Sequence, residues 1–119
     1  MMDMTYPQRH AELQALLGKL AKELPGPMSG FARLHRDAIA PGAISGKMKE
    51  LIALAIAIAI QCDDCIAYHV HDAVHAGATH QEVLETIAVA VMMGGGPASM
   101  YGCRAYEALQ QFEVPSASQ

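Results

Sequence analysis

Apolar and polar residues follow each other along the first part of the chain at three- and four-residue steps, the spacing of an amphipathic helix. Over residues 6–24 the apolar positions form one leucine stripe, and the charged residues lie off it. The stripe consists of Leu13, Leu16, Leu17, Leu20 and Leu24. Pro7 fits the first turn of this predicted helix, where a missing N–H loses no partner. The Pro25-Gly26-Pro27 segment predicts its end.

A shorter helix is predicted over residues 28–39, and Pro41-Gly42 closes it. We expect its apolar residues, among them Phe31 and Leu34, to point towards the core. His35 lies among two arginines and an aspartate, so it is interpreted as a solvated surface residue.

The most hydrophobic stretch, residues 51–60, alternates branched residues with alanine in its second half. This period of two could mark a strand, but alanine favours helices and disfavours strands. Together with its lead-in from Ser45, which is suited to an N-cap, the segment also exceeds a typical strand length. We therefore predict a helix that is apolar all round and buried on most sides.

Helix signals continue beyond this stretch. Asp63 and Asp64 favour a helix start, and Gly77 suits the C-cap of a helix over residues 63–76. The Thr79-His80-Gln81-Glu82 segment has the pattern of a capping box, which opens the next helix.

A glycine-rich segment, Gly94-Gly95-Gly96-Pro97, is expected to break or kink that helix, and a last helix follows over residues 98–112. The tail, residues 114–119, is expected to be loose. The whole pattern predicts an all-α fold, a compact bundle of about five to six helices. We expect residues 1–119 to form a single domain.

Composition narrows the possible partners and compartment. Hydrophobic residues make up 52% of the chain and charged residues 17%, so we expect other copies of the chain to cover apolar surface. A net charge of −4 without a basic cluster gives no reason to expect nucleic-acid binding. The apolar run is too short to span a bilayer, and the N-terminus lacks the pattern of a targeting segment. We expect a cytoplasmic protein with no membrane partner.

Cys62 and Cys65 form the close pair among the three cysteines of the chain. Three residues apart at a helix start, their sulfurs can approach closely enough for a disulfide. The helix dipole there stabilises a thiolate. His69 follows Cys65 by four residues, on the same helix face, and can move the proton that thiol chemistry needs. The pattern favours a redox pair.

Other interpretations of these residues stay open. Both cysteines could be inert core residues. Alternatively, Cys62, Cys65 and His69 could bind zinc, with His75 or Cys103 as a fourth ligand. A structural zinc site usually takes its ligands from two Cys-x-x-Cys segments, and the sequence has one. We therefore expect no metal and no cofactor.

Weaker candidates are interpreted as structural. His71 and His75 are spaced so that they could bind a metal together. On an alanine-rich helix, however, an exposed pair without a binding role is favoured. Cys103 is expected to be a small core residue. Glu50, which follows two lysines, is typical of a solvated helix start when it is considered alone.

Glu50, Cys62, Cys65 and His69 together resemble the core motif of the alkylhydroperoxidase AhpD-like family, which belongs to the wider carboxymuconolactone decarboxylase superfamily. Eleven residues separate Glu50 from the cysteine pair, and three separate Cys65 from His69, so the motif core covers residues 50–69. The helices on either side also look similar to those of the family.

The resemblance implies an all-α fold that assembles as a homo-oligomer, often a trimer or a hexamer. It implies Cys62 and Cys65 as the redox pair and Glu50 and His69 as a proton relay, which makes these four the expected catalytic residues. The expected activity is a thiol-dependent peroxidase. One thiolate reduces a hydroperoxide substrate, the second cysteine closes a disulfide, and a dithiol or protein electron donor resets the pair. The residues leave open which cysteine attacks.

Alternatives to this activity remain. Asp63 and Asp64, between the cysteines, oppose thiolate formation. The chain could instead be a disulfide reductase or adaptor without peroxidase activity, or a non-catalytic oligomeric binding module. A lactone decarboxylase, as in the other branch of the superfamily, is disfavoured because that reaction has no evident use for a Cys-x-x-Cys pair.

Overall fold

The computed structural model describes residues 4–113, and over this range the chain forms α-helices and no strand. The helices are α1 (Tyr6–Glu23), α2 (Pro25–Ile39), α3 (Gly46–Ala59), α4 (Asp63–His75) and α5 (His80–Glu113). The predicted all-α class and number of helices are thereby confirmed. The tail predicted to be loose, residues 114–119, lies outside the described residues.

Local capping signals set the first and last residues of the helices, close to the predicted positions. The Ser45 hydroxyl accepts a hydrogen bond from the Met48 amide at 3.1 Å and caps α3. The Thr79 hydroxyl accepts from the Glu82 amide, and the Glu82 carboxylate accepts from the Thr79 amide, so the capping box forms in full. Gly77 has the left-handed φ of 93° that follows the end of α4. These ends depend on neighbouring residues alone, which is why the sequence predicts them.

The proline-rich segment after α1 has two roles. It ends α1 at Glu23, as predicted, but α2 begins at Pro25 and not at residue 28. Proline fits the first helical turn because its missing N–H has no intrahelical partner there. The same segment therefore stops one helix and starts the next.

The core lies between α3, α4 and α5. Its largest fully buried side chains are Leu54, Ile58, Ile66, Val70, Val83 and Leu109. Burial of each such side chain contributes about 1.5–3 kcal/mol. These three helices therefore form the stable frame of the bundle, and α1 and α2 pack on its outside.

Two predictions of burial are wrong for the single chain. The α3 helix buries one face, whereas Ile52 and Ile56 on its other face and the C-cap residue Ile60 are 44–65% exposed. Phe31 and Leu34 of α2 are also more than 60% exposed. A helix in a bundle this small can bury only the stripe that faces its neighbours, and apolar composition cannot tell which stripe that is.

The α5 helix is interrupted where the glycine-rich segment predicts a kink. Gly95 has φ 74° and ψ −155°, a non-helical conformation that is essentially restricted to glycine. Among the described residues, α5 is the helix long and apolar enough to cross a bilayer by length and composition. A single weakly apolar helix, broken at Gly95 and packed against α3 and α4, does not indicate a membrane protein.

The conformation of Gly95 provides a test of the kink. Gly95→Ala is expected to lower the free energy of unfolding by about 1–3 kcal/mol, because an L side chain strains this backbone conformation. Gly96→Ala is the matched control, since Gly96 has no left-handed φ and its added Cβ would meet open space. Urea unfolding of both variants measures the difference. Equal losses of stability would contradict the assigned kink.

Candidate active site

Cys62 and Cys65 form a disulfide at the start of α4, with their Cα atoms 5.2 Å apart. Cys62 is the N-cap residue, and its Sγ accepts a hydrogen bond from the Cys65 amide at 3.3 Å. A sulfur at this position lies in the favourable field of the helix N-terminus, which stabilises a thiolate once the pair is reduced. The position therefore suits a disulfide and, after reduction, a thiolate.

A tight connection turns the chain from α3 into α4. Gln61 adopts a left-handed φ of 62°, and the Cys62 amide donates to the Ala57 carbonyl at 3.0 Å. The two helices consequently pack side by side. This packing brings Glu50, near the start of α3, next to His69 in the second turn of α4.

Glu50 and His69 form a hydrogen-bonded pair. The distance from Glu50 Oε1 to His69 Nδ1 is 2.9 Å. An ionised carboxylate can only accept, so Nδ1 carries the proton and Nε2 is the basic nitrogen of the neutral ring. Glu50 is only 7% exposed. The interpretation of Glu50 alone as solvated is therefore wrong, and its buried carboxylate lies beside one of the predicted proton carriers.

An apolar cavity of about 650 Å³ lies beside the disulfide. Cys65, Tyr68 and His69 of α4 line one side of it. The opposite walls come from α1 and α2 and include Leu13, Leu17, Ala21, Met28, Phe31 and Ala32. Part of the leucine stripe, together with Phe31, thus faces this cavity and not the core. Cys65 is the cysteine that lines the cavity, while Cys62 caps the helix behind it.

A second, smaller cavity of about 200 Å³ reaches Cys65 and His69 from the side of α3. Ile56 and Ile60, two exposed residues of the apolar α3 face, also line it. Cys65 and His69 are therefore accessible from two directions.

Three polar residues of the large cavity are not assigned to the site by the sequence. His35 is exposed, as predicted, but it also lines the cavity, with its ring centroid 6.4 Å from that of His69. Tyr68 and Asp72 line the same cavity from α4. Burial raises the pKa of Tyr68 above its ordinary value, so its hydroxyl stays protonated at neutral pH. The spacing from His69 places Tyr68 and Asp72 nearby, but nothing local places His35 there.

The two carboxylates between the cysteines are held by α1. Tyr6 donates from its hydroxyl to Asp63 Oδ1 at 2.6 Å, and Arg9 Nη1 lies 3.0 Å from Asp64 Oδ1. Burial, and then the contact with Asp63, raise the pKa of Tyr6, so its hydroxyl remains a donor. The Arg9 guanidinium offsets part of the negative charge that opposes thiolate formation.

Two other sequence interpretations change. Cys103 is exposed on α5, so the expectation that it belongs to the core is wrong. Sulfurs joined in a disulfide are not thiolate ligands, so the oxidised pair does not form the zinc site considered for Cys62, Cys65 and His69.

Comparison with known proteins gives a family match over most of the chain. The model of the carboxymuconolactone decarboxylase family matches residues 25–108. An uncharacterized protein of Cupriavidus necator is 36% identical over 97 residues, which cover 82% of this chain and 86% of the relative. Uncharacterized protein 4 in the cox locus of Paracoccus denitrificans is 33% identical over 99 residues, or 83% of this chain and 89% of that one.

Two crystal structures share the fold. A carboxymuconolactone decarboxylase family protein from Legionella pneumophila superposes with a TM-score of 0.88 and 42% identity, covering 92% of this chain and 97% of that chain. A family member from Thermotoga maritima gives a TM-score of 0.79 and 28% identity, covering 87% and 88%. The family resemblance predicted from the motif is thereby confirmed.

The contact between Arg9 and the inter-cysteine carboxylates can be tested by thiol reactivity. In reduced Arg9→Gln protein, iodoacetamide is expected to alkylate the cysteine pair about 1.5- to fivefold more slowly at pH 7, because Asp63 and Asp64 lose their cation. Mass-spectrometric mapping measures the rate for each cysteine. Arg36→Gln, which removes the same charge from an exposed site on α2, should leave the rate unchanged. A similar slowing in both variants would contradict a local effect.

Proposed function

Since the chain belongs to the carboxymuconolactone decarboxylase family, we propose that it is a thiol-dependent oxidoreductase of the AhpD-like type that reduces hydroperoxides. The observation that carries the proposal is the juxtaposition of the Cys62–Cys65 disulfide with the Glu50–His69 pair at the wall of an apolar cavity. Peroxide reduction through an internal disulfide uses this combination of a cysteine pair and a proton carrier. For the Thermotoga maritima relative, an involvement in the antioxidative response has been suggested.

Cys65 is the attacking cysteine in the proposed mechanism, because it lines both cavities together with His69. In the reduced enzyme, His69 Nε2 takes the proton of the Cys65 thiol. The thiolate attacks the terminal oxygen of the hydroperoxide and the O–O bond breaks. Cys65 becomes a sulfenic acid, and the leaving alkoxide takes the proton from His69 to form an alcohol.

Cys62 completes the cycle as the resolving cysteine. Its sulfur attacks the sulfenic sulfur of Cys65, the S–O bond breaks, and the hydroxyl leaves as water with the Cys62 proton. The Cα separation of 5.2 Å is within the range for a disulfide, so the helix start does not have to move. An external dithiol then supplies two electrons and two protons, and is itself oxidised to a disulfide.

Glu50 acts on His69 in this mechanism. Its hydrogen bond holds Nδ1 protonated and leaves Nε2 as the nitrogen that accepts the thiol proton. When His69 becomes an imidazolium, the buried carboxylate stabilises the positive charge. Glu50 thus supports both states of the proton carrier.

The proposed enzyme works in the cytoplasm as a homo-oligomer, a trimer or a hexamer. Exposed apolar residues on two helices support assembly, among them Ile52 and Ile56 on α3 and Met92 and Met93 on α5. Monomers rarely expose apolar surface of this extent. A copy packed on the α3 face would also cover the smaller opening to Cys65. The exposed thiol of Cys103 suits a reducing compartment.

The core proposal predicts a defined oxidation product. One equivalent of cumene hydroperoxide is expected to convert the reduced protein to the Cys62–Cys65 disulfide, and excess dithiothreitol should sustain peroxide consumption. Cys65→Ser should abolish consumption, Cys62→Ser should accumulate a sulfenic acid at Cys65, and Cys103→Ser is the matched control. Alkylation mapping and a peroxide assay measure these outcomes.

Two results would contradict this proposal. Over-oxidation of Cys65 without a disulfide would exclude the resolving role of Cys62. Reduction of a disulfide substrate without peroxide turnover would instead favour the disulfide reductase or adaptor.

The proton relay predicts a separate effect. Glu50→Gln keeps the size of the side chain but removes its charge, so the rate of peroxide reduction should fall about 10²-fold or more. Glu85→Gln, at an exposed position where the carboxylate accepts a hydrogen bond from Gln81, should retain the wild-type rate. Stopped-flow measurement of disulfide formation gives the rate, and circular dichroism checks the fold. An unchanged rate in Glu50→Gln would remove Glu50 from the mechanism.

A further inference from the structure

Three histidine rings stack where α1 packs on α4, apart from the cysteine pair. The His10 and His71 ring centroids are 3.8 Å apart, and those of His71 and His75 are 4.0 Å apart. From the sequence, the spacing of His71 and His75 is noted, and the two are interpreted as an exposed pair without a binding role. The fold adds His10 from another helix, so a cluster exists that the spacing alone does not show.

His10 is buried without a full set of partners. It is 6% exposed, and within residues 4–113 its Nε2 has no hydrogen-bond partner. A buried polar atom left unpaired costs about 1–3 kcal/mol. A binding partner for His10 Nε2 would therefore remove this cost in free energy.

His71 and Asp72 provide two further ligand atoms. His71 Nδ1 lies 2.8 Å from Asp72 Oδ1. Two ligand atoms on one tetrahedral ion, each about 2.0–2.2 Å from it, lie roughly 3.3–3.6 Å apart, so these two atoms would have to separate only slightly. An ion could therefore replace the proton that the two atoms share. The ligand atoms of His10, His71 and Asp72 all lie within 4.8 Å of one another.

We propose that His10, His71 and Asp72 form a binding site for one divalent transition-metal ion, with Zn²⁺ as the representative ion. Two imidazoles and a carboxylate are the donor set of Zn²⁺, Co²⁺, Ni²⁺ and Cu²⁺, whereas Mg²⁺ and Ca²⁺ prefer oxygen ligands alone. Binding requires the two stacked rings to rotate so that their nitrogens face the same point. Three protein ligands leave a fourth position for water.

The proposed metal site adjoins the cavity, because Asp72 lines it, but uses none of the four proposed catalytic residues. Asp72 also lies near Glu50 and His69, but those two residues already pair with each other at the cavity wall. An ion on His10 and His71 would join α1 to α4. Because Leu13 and Leu17 of α1 line the large cavity, metal binding would hold that wall in place.

The test uses the oxidised, tag-free Cys103→Ser protein, in which all three cysteines are excluded as thiolate ligands. Isothermal titration with Zn²⁺ should give one ion per chain, and the midpoint of thermal unfolding should rise with Zn²⁺ concentration. The Co²⁺ complex should show the visible bands of a site with nitrogen and oxygen ligands. No saturable binding, or no thermal shift, would overturn the proposal.

Three substitutions locate the site. His10→Phe keeps a stacked ring but loses the ligand nitrogen, and it should weaken Zn²⁺ binding at least tenfold. His71→Phe, at a partly exposed position, should weaken binding similarly, so it decides the question even if His10→Phe does not fold. His71 is chosen over Asp72 because the Asp72 carboxylate also lies near Glu50 and His69. His80→Phe, which removes an exposed histidine paired with Glu113, is the matched control. Unchanged affinity in both His10→Phe and His71→Phe would assign the ion elsewhere and refute the site.

Discussion

The hydrogen bond between Glu50 and His69 is the constraint on which the arrangement of the site depends. A carboxylate as buried as Glu50 has to be paired, because an unpartnered buried charge costs about 3–5 kcal/mol. His69 meets this need from the neighbouring helix, so the pair fixes α3 and α4 in one relative position. The sharp turn at Gln61 allows the two helices to pack in this arrangement, and the disulfide lies directly after the turn.

The N-terminal helix depends on a different kind of contact. Tyr6 and Arg9 bind the carboxylates between the cysteines, and His10 stacks on α4. The leucine stripe, by contrast, packs against little and remains partly exposed beside the cavity. α1 is therefore held to the frame mainly by polar and aromatic contacts at its first turns. We expect such an element to open at a lower free energy than the core.

Hydrophobic composition alone gave a misleading picture of the core. The alternating isoleucines and alanines of α3 suggest burial on most sides, yet in one chain Ile52, Ile56 and Ile60 face outwards. The same residues fit the proposed contact with other copies of the chain. Whether an apolar face is core or interface depends on the neighbours that pack against it, and this information is not present within one helix.

The sequence by itself determined the helices and the part of the site that lies at the start of α4. Caps and breakers such as Ser45, Thr79 and Gly95 act within a few residues, and the spacing from Cys62 through Cys65 to His69 places three groups on one helix. The tertiary structure alone decided the rest. It paired Glu50 with His69, turned Phe31 and His35 towards a cavity, and brought His10 onto His71. These contacts join different helices, so they follow from the way the helices pack and not from the period of any one of them.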